Sequence, residues 1–219
     1  MFGIYNYWGF IAAAILLNLT PGTDSMYIIT RSVSQGQIAG FYSVLGIISG
    51  ILIHTLLAAF GLSVLLDSSP VAFMLVKYIG ASYLCYLGIK MLMSKGTTIT
   101  PEDGNGAGNK KHSGLPALDY KQIYKQGVLT NTFNPKVALF FLAFFPQFID
   151  PDYTYSMLSF IVLGLTLAVT GFTWLLCLTL LASKFSENLR KNPSIEAILN
   201  KISGVVFIGL GVKLLTEKG

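Results

Sequence analysis

Little of this sequence is charged. Asp, Glu, Lys and Arg make up 11% of its 219 residues, against roughly a quarter in a typical soluble domain, while 53% are apolar. A water-soluble globule of this length needs more charge to cover its surface. No charged side chain occurs from Ser32 to Leu66 or from Tyr153 to Ser183, and each stretch is long enough to cross a hydrocarbon core about 30 Å thick. The chain is therefore expected to lie in a bilayer.

Other absences narrow the function. There is no G-x-x-x-x-G-K-[ST] phosphate loop and no H-E-x-x-H, C-x-x-C or G-x-S-x-G pattern, so no nucleotide hydrolysis by that device, no resident metal or cofactor and no enzymatic nucleophile is expected. The two cysteines, Cys85 and Cys177, stand alone inside apolar runs and read as packing residues rather than a redox pair. No basic residue precedes Arg31. The N-terminus therefore lacks the basic leader of a signal peptide and reads as a retained first span.

What is present is a series of six apolar runs, at about 7 to 30, 39 to 66, 71 to 93, 126 to 149, 154 to 183 and 201 to 216. As a helix the last, roughly 16 residues, reaches only about 24 Å, so it needs its flanks or a thinned membrane. Between the third and fourth runs, Gly104, Gly106, Gly108 and Gly114 with Pro101 and Pro116 mark a loop. The expectation is an all-α integral membrane protein of six transmembrane helices, a single domain over residues 1–219.

The net charge of +5 could indicate a nucleic-acid partner, but the placement of the basic residues indicates topology instead. With alternating spans, the connections after the first, third and fifth collect Arg31, Lys90, Lys95, Lys110, Lys111, Lys121, Lys125, Lys184, Arg190, Lys191 and Lys201. The opposite side holds Lys77, Lys213 and Lys218 beside Asp67, Asp150, Asp152 and Glu217. The positive-inside rule makes the first side cytoplasmic, both termini external, and nucleic acid no partner.

The chain also resembles itself. Asn18-Leu19-Thr20-Pro21 in the first run matches Thr132-Phe133-Asn134-Pro135 in the fourth, and Gly88-Ile89-Lys90-Met91-Leu92 matches Gly211-Val212-Lys213-Leu214-Leu215. Repeat A covers about 1–95 and repeat B about 123–219, with the glycine-rich cytoplasmic loop at about 96–122. Three spans per copy is an odd number, so the second copy enters from the opposite face. The result is an inverted 3+3 repeat, an arrangement that puts a binding site at the shared midplane.

Each repeat begins with a helix expected to break at its proline. Pro21 deprives the Leu17 carbonyl of its helical partner, and Pro135 does the same to Asn131. Thr20 and Asn134, pushed from helical geometry by the following proline, are suited to cap a new half-helix, and Gly22 loosens the first break further. Unpaired backbone groups cannot face lipid, so they line a protected cavity. Fresh helix N-termini suit a carboxylate and orphaned carbonyls suit an ammonium, the two charges of an amino acid.

Ionisable residues sit at the same depth. Asp24 follows Pro21 by three positions and Lys136 follows Pro135 directly, where each costs at least about 2.5–3.5 kcal/mol to insert. They either form a static pair clamping the halves or serve a substrate and a proton. His54, in the second run, is a packing residue or a proton relay. Gly46-x-x-x-Gly50 fits either close packing within the bundle or the seam of a homodimer.

At these residues the sequence resembles the LysE/RhtB-type amino-acid exporters. The likeness is carried by Thr20-Pro21-Gly22-Thr23-Asp24, by Gly46 to Gly50 through His54, and by Gly80-Ala81-Ser82-Tyr83-Leu84 through Gly88. It continues in Gln126-Gly127 through Asn134-Pro135-Lys136 to Phe144-Phe145-Pro146-Gln147-Phe148. One departure stands out: the family commonly has Pro-Gly-Pro-Asp where this chain has Pro-Gly-Thr-Asp. The resemblance implies a multi-pass carrier of a bacterial-type inner membrane. It would export an amino acid or close derivative of the homoserine, homoserine lactone, threonine, lysine or leucine class, by proton antiport.

The expected substrate site is Asn18, Thr20, Pro21, Gly22, Asp24, Asn131, Asn134, Pro135 and Lys136, with Asp24 and His54 as proton relays. The expected partners are an amino acid, protons and lipid. Two other transmembrane functions compete: a metal-ion exporter, which would need more carboxylate, His or Cys ligands at depth, and a membrane thiol oxidoreductase, which would need its cysteines on the two broken spans.

Overall fold

The computed structural model describes residues 2–64, 70–93, 119–150 and 156–184, with isolated helical positions at 201, 205, 208, 209 and 212. Helix α1 runs Tyr7–Leu19 and opens at Asn6, whose side chain accepts from the Gly9 amide at 3.2 Å. The backbone leaves helical geometry at Thr20 (ψ 120°) and resumes as α2, Thr23–Gln35. Gly36, at φ +88°, makes the sharp turn into α3, Gln37–Leu57, which continues through a wider π turn at Ala58–Leu62. Helix α4 is Pro70–Met93. Then come α5, Tyr120–Thr132, and α6, Pro135–Phe144, the latter followed by a 3₁₀ turn at Phe145–Phe148. Helix α7, Ser156–Lys184, closes the described bundle. Among the described residues the architecture is all-helical, with a single isolated bridge between Ile4 and Ile149.

Two of these helices, Gln37–Leu62 and Ser156–Ala182, are long and apolar enough to cross a membrane, and the pair Tyr120–Thr132 and Pro135–Phe148, bent by 49°, makes a third where its halves are taken as one span. Their limits follow the charge-free runs closely. Helix α5 begins at Tyr120, before the apolar run does. Its first turn is polar, and Asp119 starts it by accepting from the amides of Lys121 (3.0 Å) and Gln122 (3.2 Å). The sixth apolar run falls almost wholly outside the described residues, as do loop positions 94–118.

Side-chain register gives each helix its direction. Helices α3 and α7 are antiparallel, with Gly40 against Thr179 and Thr55 against Gly164. Helices α3 and α5 run parallel: a Cβ on Gly46 would run into the Tyr124 carbonyl oxygen and stand 3.0 Å from the Gly127 Cα, and one on Gly50 would stand 2.7 Å from Asn131. Only glycine permits such an approach. The Gly46-x-x-x-Gly50 face is thus taken up by α5 of the same chain. Segment α1–α2 follows α7 in the same direction, through Tyr7 to Thr166 (2.8 Å), Asn18 to Thr170 (3.2 Å) and Ile28 packed with Leu175 and Leu178.

It follows that α1–α2 and α5–α6 run antiparallel, and their contacts say so residue by residue. Gly3 accepts from Asp150, Tyr5 donates to Phe148, Lys136 reaches Leu17 and Thr20, Asn131 meets Asp24, and Gln126 meets Arg31. On one side of the breaks lies a buried aromatic cluster of Phe10, Phe140, Phe144, Phe145, Phe148 and Phe160. On the other lies a smaller aliphatic cluster, Ile28, Val44, Ile47, Leu175 and Leu178. Between them sits the polar site.

Candidate functional site

The two interruptions lie side by side. Lys136, one residue past Pro135, donates its ammonium protons to the carbonyls of Thr20 (2.8 Å) and Leu17 (3.0 Å), one residue and four residues before Pro21. Leu17 is the residue whose carbonyl Pro21 orphans. At the other break, the Asn131 carbonyl accepts from the Asn134 amide at 2.9 Å and lies 3.3 Å from His54 Nε2. Each stranded acceptor is thus met, the first by a lysine from the opposite segment.

The breaks differ in how they restart. Asn134 begins α6 with its own side chain, Oδ1 accepting from the Lys136 amide at 3.1 Å, and Pro135 occupies the first helical position. Helix α2 has no side-chain cap. The cap expected of Thr20 is not formed, because Pro21 and Gly22 separate it from Thr23 and its hydroxyl turns back to the Leu16 carbonyl at 2.7 Å. The residue at the cap position is Gly22, with extended backbone and no side chain to offer.

Asp24 lies in the first turn of α2. Its Oδ2 accepts from Asn131 Nδ2 at 2.8 Å, while Oδ1 is buried and makes no hydrogen bond. Asn131 Oδ1, also buried, is likewise unbonded. With Asp24 held by an amide and Lys136 by carbonyls, no ion pair joins the two. An acceptor left unmatched in a dry interior is costly, about 1–3 kcal/mol, and Asn134 is the other side chain close to this carboxylate.

A cavity of about 30 Å³ opens at this point, enough for water and too small for an amino acid. Asn18, Thr20, Gly22, Asp24, Ser25, Asn134 and Lys136 line one part of it; Leu17, Ile47, Ile51, Val137, Leu167 and Leu175 line the rest. Of the residues singled out from sequence, Asn131 joins through its bond to Asp24. Pro21 and Pro135 shape the backbone without lining the space, and Pro135 is exposed. His54 does not line the cavity; it is buried, stacked on Phe141 at 5.5 Å, and meets the Asn131 carbonyl. Among the described residues no three of His, Cys, Asp and Glu come together. Cys85 and Cys177 are free and lie on α4 and α7.

The aliphatic wall is not legible in the sequence, because Ile47, Ile51, Leu167 and Leu175 are unremarkable inside apolar runs and only packing shows which of them face the breaks. Nor is a further contact, at the end of the molecule where α2 stops and α5 starts. There Arg31 donates to Gln35 (2.9 Å) and Gln126 (2.5 Å) and lies 5.4 Å from the Tyr27 ring centre, while the Tyr27 hydroxyl donates to the Ile123 carbonyl at 2.7 Å.

Comparison with known proteins gives the site a context. Residues 15–218 match the family model described as LysE type translocator. A leucine efflux protein of Salmonella choleraesuis is 31% identical over 98% of this chain and 97% of its own length. An uncharacterised membrane protein of Pseudomonas aeruginosa is 31% identical over 98% of this chain and 96% of its own, and the membrane protein YrhP of Bacillus subtilis is 30% identical over 96% and 98%. No solved structure matches. The chain is a membrane-embedded protein that belongs to the LysE type translocator family.

Proposed function

We propose that the chain exports a small aliphatic amino acid across the inner membrane by alternating access, with the substrate held between the two broken helices. The observation that carries this reading is the unbonded, buried Oδ1 of Asp24 at the edge of a cavity with one polar and one aliphatic side. The substrate ammonium docks on Asp24 Oδ1 and Asn131 Oδ1. Its carboxylate takes the uncapped N-terminus of α2, where backbone amides and the helix dipole favour an anion, with the Lys136 charge beside it. Its side chain lies against Leu17, Ile51 and Leu167. The leucine efflux relatives agree with that aliphatic wall.

Loading requires opening, since the cavity admits only water as it stands. The antiparallel run of α1–α2 against α5–α6 supports an inverted 3+3 repeat whose halves tilt about the breaks. Arg31, Lys121, Lys125 and Lys184 belong to the end where α2 and α7 finish and α5 starts, which supports a cytoplasmic placing of that end, with both termini external. Export is driven by inward proton flow. Asp24 carries the proton and exchanges it with the substrate ammonium, and His54, which shares Asn131 with it, relays.

The test is counterflow of labelled leucine in proteoliposomes at an imposed pH gradient. Asp24→Asn keeps the shape and the Asn131 contact but removes the charge; it is expected to lower export by at least about a hundredfold and to abolish its dependence on the gradient. Export at the parental rate with the parental pH dependence would refute the assignment.

A further inference from the structure

Helix α7 passes the cavity as Leu167, Gly171 and Leu175, one residue per turn on a single face, and its two leucines line the space. Glycine is a weak helix former in the middle of a 29-residue helix. Its use here is spatial. A Cβ built on Gly171 would stand 3.3 Å from Asn18 Oδ1 and 3.5 Å from Ile51 Cδ1, and both of those residues line the cavity. The missing side chain is a recess into which Asn18 and Ile51 settle back against α7. Fill it, and Asn18 is pressed toward the substrate's position, while Ile51, now in contact with the added methyl, has no room to draw back when a side chain enters.

We infer that Gly171 sets the size of amino-acid side chain the transporter accepts, by holding Asn18 and Ile51 clear of the cavity. The inference rests on the substrate site proposed above. Gly171 touches no substrate; it is a positioning residue that acts through Ile51 on the aliphatic side and Asn18 on the polar side. The gap bears on side-chain volume because Ile51 Cδ1 is an apolar tip. The approach to Asn18 is tight and that to Ile51 is ordinary contact, so an added methyl shifts Asn18 by tenths of an ångström, takes up the free space behind Ile51 and does not break the helix. Pockets discriminate single methylenes by roughly tenfold or more.

The experiment is competition against labelled leucine efflux by alanine, valine, leucine and phenylalanine, in parent, Gly171→Ala, Ile51→Val and the double variant. Gly171→Ala is expected to weaken leucine relative to alanine by about tenfold. Ile51→Val removes Cδ1 itself; alone it should move the ranking toward phenylalanine, and in the double variant it should restore leucine. An unchanged ranking in Gly171→Ala overturns the inference, as does a uniform loss that Ile51→Val does not repair. Should Gly171→Ala fail to accumulate in the membrane, an unchanged ranking in Ile51→Val overturns it by itself. Asp24→Asn is run alongside: if it exports every substrate as the parent does, the binding site is misplaced, whereas a dead Asp24→Asn with an unmoved size ranking overturns the role of Gly171 alone.

Discussion

The two helix breaks occupy matching places in the chain but are built differently. The break at Pro135 is self-sufficient: Asn134 caps α6 through its side chain and returns its own amide to the Asn131 carbonyl, so the interruption is satisfied largely within four residues. The break at Pro21 is dependent. Gly22 offers no cap, Thr20 turns back to Leu16, and the Leu17 carbonyl is met by Lys136 from the other segment. Two interruptions at similar proline motifs have thus divided their tasks. The self-capped N-terminus of α6 has an amide already spent on Asn134. That of α2 has no such occupant, which makes it the end suited to a carboxylate.

The strongest way to break this comparison is to remove what the Pro21 break borrows. Lys136→Met fills similar space with no donor, and it strips the Leu17 carbonyl of the ammonium while leaving the Asn134 cap untouched. Loss of transport is expected, together with a destabilisation of roughly 2–4 kcal/mol in detergent, the cost of unmet acceptors at a buried charged group. Thermal unfolding of the purified protein measures the destabilisation. If Lys136→Met unfolds at the parental temperature, the Pro21 break satisfies its own backbone and the contrast fails.

A smaller effect separates the two residues that precede the prolines. Asn134→Ala removes a working cap and should cost about 1 kcal/mol. Thr20→Val removes a hydroxyl that donates to its own helix and caps no helix start, and a smaller loss than that of Asn134→Ala is expected. Equal losses in unfolding experiments would mean that the breaks are equivalent after all.

Much of this is legible in the amino-acid sequence alone. Charge-free runs mark α3 and α7 because bilayer thickness, not tertiary detail, fixes how long such helices must be. The acceptors stranded by Pro21 and Pro135 follow from helix geometry alone, as does the depth of Asp24 and Lys136. Their partners do not. Asp24 and Lys136 are of opposite charge at similar depth, so an ion pair is a fair reading of the sequence, yet the lysine goes to two carbonyls and the aspartate to Asn131. That choice is made by Gly50, which lets Asn131 press against α3, and by the antiparallel register, which carries Lys136 past Asp24 to the end of α1. Polar helical turns are hidden for another reason: the end of α2 past residue 30 and the start of α5 lie beyond the apolar runs, the first held by packing and the second by the Asp119 cap.

Gly22 gives the finest test of the comparison, and the smallest expected effect. Its backbone is extended, a conformation any residue adopts, so glycine is not required there by φ and ψ. A Cβ added at Gly22 would meet Lys136 Nζ at 3.4 Å and Cδ at 3.6 Å, ordinary contacts that a flexible lysine accommodates. Gly22→Ala should therefore change stability by no more than about 0.5–1 kcal/mol, in either direction, since alanine also restricts the unfolded chain. Transport should show more than stability does. The added methyl stands beside the uncapped end of α2 where the carboxylate is proposed to dock, so apparent affinity for leucine falls several-fold while the maximal rate holds. A variant that binds leucine as the parent does, with Lys136 undisturbed, would place the carboxylate elsewhere and leave the open end of α2 without a task.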